Sequence, residues 1–146
     1  MKLTPMLAAL CLATLPAFSA PLVPDQPIIF GNSRAVCTGV GSAQDNPEWA
    51  AYPIRMVFSN AGGQFVSGVH VVLTTSAGRA VGQWDCNTPW ALLSLPAGSY
   101  KAAVRLNETG LVKTMNFTST GAVQAAGFNM DAQKRLEFQF PLPANR

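Results

Sequence analysis

The stretch Trp84–Tyr100, WDCNTPWALLSLPAGSY, constrains this chain more than any other. It holds a cysteine, two tryptophans, an apolar run interrupted only by Ser94, and a Pro-Ala-Gly-Ser turn that delivers Tyr100 into the next segment. These are residues that pack, staple and turn a chain. They are not residues that move protons or hold metals, so the stretch points to a scaffold more than to a reaction.

The first residues read as an export signal. Lys2 precedes an apolar run, Leu7 to Leu15, which ends at Pro16 and small residues, and cleavage is expected near Ser19 or Ala20. The run is shorter than the roughly 20 residues of a membrane-spanning helix. Cys11 lies inside it and lacks the small residue before it that a lipoprotein signal shows, so no lipid anchor is expected. Residues 1–19 are therefore assigned as a signal peptide, 20–33 as an extended arm with three prolines, and 34–146 as one domain in the periplasm or outside the cell. Loss of Cys11 leaves Cys37 and Cys86, and an even pair in an oxidising compartment predicts a disulfide. A redox pair would want C-x-x-C spacing and a zinc site four ligands, whereas the chain offers two cysteines and His70.

Charged residues make 12% of the chain, about half the usual share, and 12 glycines and 11 prolines punctuate it, which favours a turn-rich β protein. Clean two-residue alternation puts Ile54, Met56 and Phe58 on one face of a strand, and Val69, Val71 and Leu73 on one face of the next, leaving His70 outward. Ser76–Arg79 connects a hairpin into Ala80–Cys86, where Gly82, Trp84 and Cys86 share the inner face and Val81, Gln83 and Asp85 the outer one. Ala91–Leu95 and Tyr100–Leu106 read as another hairpin, with Pro96 presetting one corner and Gly98 supplying a positive φ. Asn107–Gly110 turns the chain into Leu111–Thr118. Gly121–Asp131 shows no period, and Leu136, Phe138 and Phe140 alternate in a final strand. Asp45-Asn46-Pro47-Glu48 starts one short helical turn near 46–52 that places Trp49 and Tyr52 together as a lid over one end of the core. The sum is all-β: a single antiparallel β-sandwich of about seven strands.

Recurrent short segments, Gly39-Val40-Gly41, Ile54–Phe58, Gly68–Val71, Ala77-Gly78-Arg79, Pro89–Leu93 and Leu95–Tyr100, make residues 39–118 similar to exported bacterial carboxypeptidase regulatory-like (transthyretin-like) domains. In that family the Pro-Trp pair follows a glycine and the turn reads Leu-Pro-Pro-Gly, so Thr88 and Ala97 depart from its pattern. Cys37, Cys86 and the tail after Thr118 also lie outside it. The resemblance implies a prealbumin-like (Ig-like) sandwich and an accessory, non-catalytic role.

No reaction centre is legible. His70 has no G-x-S-x-G serine to serve, the carboxylates do not pair, and none of the seven acids clusters as calcium requires. The cations are scattered singly, so no nucleic-acid stripe is expected, and neither is a cofactor or metal. Two functions of different class remain. One is a binding module that presents a sheet face or end loops to a cell-envelope protein or glycan, with Trp49 and Trp90 as candidate aromatic anchors. The other is a small periplasmic hydrolase or isomerase, which would need a pocket gathering His70 with an acid and a nucleophile.

Overall fold

Wherever apolar residues recur at every second position, the backbone is extended and the apolar set faces inward. The computed structural model describes residues 22–121 and 132–141; the expected signal peptide and the aperiodic stretch 122–131 lie outside them. The strands are β1 (Ile28–Phe30), β2 (Ser33–Thr38), β3 (Ile54–Asn60), β4 (Val69–Thr75), β5 (Ala80–Cys86), β6 (Trp90–Ser94), β7 (Gly98–Leu106), β8 (Val112–Ser119) and β9 (Lys134–Phe140). They build two sheets, ordered β1-β2-β6-β3-β9 and β5-β4-β7-β8. The chain is thus the all-β sandwich that its alternation predicts, with nine described strands. One pair, β3 with β9, is parallel.

The inner faces meet in a continuous core. Ile54, Met56 and Phe58 of β3 and Leu136, Phe138 and Phe140 of β9 pack against Val69, Val71 and Leu73 of β4 and Tyr100, Ala102 and Val104 of β7. Cys37 on β2 and Cys86 on β5 are fully buried and joined by a disulfide across the two sheets, with Cα atoms 5.8 Å apart. Trp84 is buried beside it, 1% exposed, with the Phe30 ring centroid 5.7 Å away.

The arm expected over 20–33 is, from residue 22 on, held against the sandwich, and its apolar end Ile28–Phe30 forms β1. Leu22 sits in the core and its N–H donates to the Asp85 carbonyl, the Asp25 N–H donates to Cys37, and β1 pairs with β2. Apolar Leu22, Ile28 and Phe30 gain burial this way, and Phe30 lies against Gly82, whose missing Cβ makes room for the ring.

The hairpin expected across Pro96–Ser99 is not formed. β6 pairs with β2 and β3, whereas β7 pairs with β4 and β8, so the turn carries the chain from one sheet to the other. Gly98 already belongs to β7, opposite Ser119, with φ of 158° close to fully extended. What holds the corner is Tyr100, whose hydroxyl donates to the Pro96 carbonyl at 2.7 Å and whose ring stacks on Phe117. Ser119 braces it from β8 by donating its hydroxyl to the Leu95 carbonyl.

Candidate functional site

The two sheets differ in what covers their outer faces. On the five-stranded sheet, Gly41–Asp45 and Pro47–Ala51 form two 3-10 turns, the second capped by the Asn46 side chain accepting from the Glu48 N–H. Trp49 and Tyr52 pack on Val36 and Leu92, the outward residues of β2 and β6. The lid therefore roofs a sheet face and does not close the end of the sandwich. Gln133, just before β9, pins it by donating to the carbonyls of Trp49 and Tyr52 while accepting from Arg55 Nε.

This roof decides the fate of the two candidate aromatic anchors. Trp49 is 1% exposed and spends its indole N–H on the Ala43 carbonyl. Trp90 is 9% exposed, with the Arg55 guanidinium 4.2 Å from its ring centre and the Gly39 backbone pressed against it. Neither ring offers a free face, because each outward position of β6 is covered by lid or cation. Tyr52, beneath the Arg34 guanidinium, has its phenol pKa raised by burial, with Glu48 pushing the same way and Arg34 opposing.

The four-stranded sheet carries no such roof among the described residues. Its strand register lays out rows of outward side chains: Asp85, His70, Arg105 and Val112 in one, Gln83, Val72, Ala103 and Thr114 in the next, then Thr74, Lys101 and Asn116. Directly opposed residues in such rows have Cβ atoms about 5 Å apart. Within this face His70 Nδ1 lies 2.8 Å from Asp85 Oδ1, and its Nε2 lies 3.3 Å from Gln83 Oε1. His70 points outward as alternation requires, but its side chain is only 13% exposed because these neighbours close around it. Lys101 and Arg105 are exposed, and neither side chain enters an ion pair or hydrogen bond among the described residues.

A pocket opens between the sheets at one end. Val66, Leu106 and Phe140 form its apolar floor, and Asn60, Gln64 and Glu108 stand around a volume of about 310 Å³. These contacts among the described residues do not gather His70 with both an acid and a nucleophile. His70 has its acid in Asp85, but its other nitrogen meets a carboxamide oxygen rather than a nucleophile. Among the described residues no group of three His, Cys, Asp or Glu is placed to hold a metal ion, and no helix is long and apolar enough to cross a membrane.

For the His70–Asp85 pair the sequence holds a signal in parity, which turns both residues outward on the two arms of one hairpin. Gln133 had no such signal. It precedes the final alternation, and its partners lie 81 and 84 residues away. No family model matches the chain, and no curated protein or solved structure shows significant similarity to it.

Proposed function

We propose that this chain is an exported, non-catalytic binding module that contacts a cell-envelope partner, protein or glycan, through the outer face of its four-stranded sheet. The asymmetry of the two faces carries this reading: one is roofed by Trp49 and Tyr52, the other leaves Lys101, Ala103, Arg105, Thr114 and Asn116 accessible on a rigid support. Binding groups held by paired strands lose little freedom on association, which favours affinity. The inter-sheet disulfide supports an oxidising destination, and the signal-like leader supports export to the periplasm. The resemblance to carboxypeptidase regulatory-like domains supports an accessory role.

The test uses protein exported from its full sequence and immobilised as bait for an envelope extract. Ala103→Trp places a bulky ring at the centre of the face, and Glu137→Trp places one on the outer face of the other sheet. Loss of the captured component with Ala103→Trp and its retention with Glu137→Trp is the expected result. Retention by both variants would remove the face from the account.

A further inference from the structure

From the same face, and resting on its role as the binding surface, we infer the chemistry of the partner: an anionic polysaccharide with one carboxylate per sugar ring, such as a uronic-acid polymer. The only acid in the outward rows, Asp85, is engaged by His70 at 2.8 Å, so the face presents the unpaired cations Lys101 and Arg105. They lie four residues apart on β7, hence about 13 Å from each other along the strand. Between and beside them stand Gln83, Thr74, Thr114 and Asn116, neutral groups that both donate and accept hydrogen bonds, as sugar hydroxyls require.

The charge density separates the candidate polyanions. Duplex nucleic acid carries a charge about every 1.7 Å and is held by dense cation clusters, and single strands are held on stacked aromatic side chains. This face has two cations and no aromatic residue in its rows. Membrane surfaces are bound by apolar side chains that sink below the headgroups, and the face carries one large exposed apolar residue, Val112, at its margin. A uronic-acid polymer, with one carboxylate and free hydroxyls on every ring, is less densely charged than duplex nucleic acid, can meet two separated cations along its length, and offers its hydroxyls to the neutral groups between them.

The experiment measures binding of the exported protein to polygalacturonate, dextran, duplex DNA and phosphatidylglycerol vesicles at low and high salt. Polygalacturonate binding that weakens with salt, exceeds binding to the other three, and falls tenfold or more in Lys101→Ala/Arg105→Ala but not in Arg135→Ala is the expected pattern. Absent polygalacturonate binding, an unchanged double variant, equal loss in Arg135→Ala, or tighter binding to DNA or vesicles overturns it. If polygalacturonate fails while Ala103→Trp still abolishes envelope capture, the binding face survives and only the partner chemistry is wrong.

Discussion

Cutting the staple between the sheets gives a quantity that can be worked from the structure. Cys86→Ser removes a bridge between residues 49 apart, and in the chain-entropy description a closed loop of that length stabilises the fold by about 4 kcal/mol. The serine itself adds little further cost. Its hydroxyl occupies a site where the Trp90 carbonyl lies 3.5 Å from the sulfur position and Thr88 Oγ1 3.3 Å, so a buried donor finds an acceptor. Cys37, left as a thiol, behaves as a small apolar group in a fully buried site. A domain of this size changes its melting temperature by about 3 to 4 °C per kcal/mol, so the expected drop is roughly 12 to 16 °C. The far-ultraviolet circular dichroism should keep its β form below the transition, because the inner faces of β3, β4, β7 and β9 still bury their apolar sets. The assay is thermal unfolding of wild type and variant at one concentration and pH, with thiol titration of the unreduced wild type showing no free thiol in the mature chain. A drop smaller than about 4 °C, or two titratable thiols, would refute the reasoning.

Tyr100→Phe should cost about 1 to 2 kcal/mol by orphaning the Pro96 carbonyl at the corner between sheets, read as a lower denaturant midpoint with an unchanged slope. An unchanged midpoint would mean the hydroxyl does not hold the corner. Gly39→Ala should cost about 1 to 3 kcal/mol, since φ there is 108° and the new Cβ would stand 2.7 Å from the Trp90 ring; equal stability in chemical denaturation contradicts that packing. The phenols of Tyr52 and Tyr100 both have pKa values raised by burial from 10.0. The folded state thus holds these protons more tightly, and the stabilisation is complete below the unfolded pKa and lost as pH rises through the folded values. Denaturant midpoints should hold up to about pH 10 and fall above it, with a smaller fall in Tyr52→Phe.

Strand existence and facing were legible because period-two patterns are local. Leu136, Phe138 and Phe140 needed no tertiary information to be turned inward. Sheet membership was not legible in the same way. Pro96–Ser99 has the residues of a hairpin turn, yet which sheet receives β7 depends on β4 and β8, distant in sequence. The continuous apolar run of β6 was the clue: all five of its residues are buried, as in a central strand covered on both faces, whereas a hairpin arm with one wet face alternates. The same roof explains why Trp49 and Trp90 misled as surface anchors. Large aromatics near a turn look exposed until the lid that uses them is in place. The outer face of the four-stranded sheet was the hardest to read, since its outward Ala103, Thr114 and Val72 have no motif and become a surface only through register.

The central claim, that the outer face of the four-stranded sheet meets the partner, is tested most directly by photo-crosslinking in exporting cells. A photoreactive residue replaces exposed Thr114 on that face in one strain and exposed Glu137 on the opposite sheet in another. The account predicts a covalent adduct to an envelope component from position 114 and none from position 137. An adduct from position 137 alone, or from neither position, would contradict it.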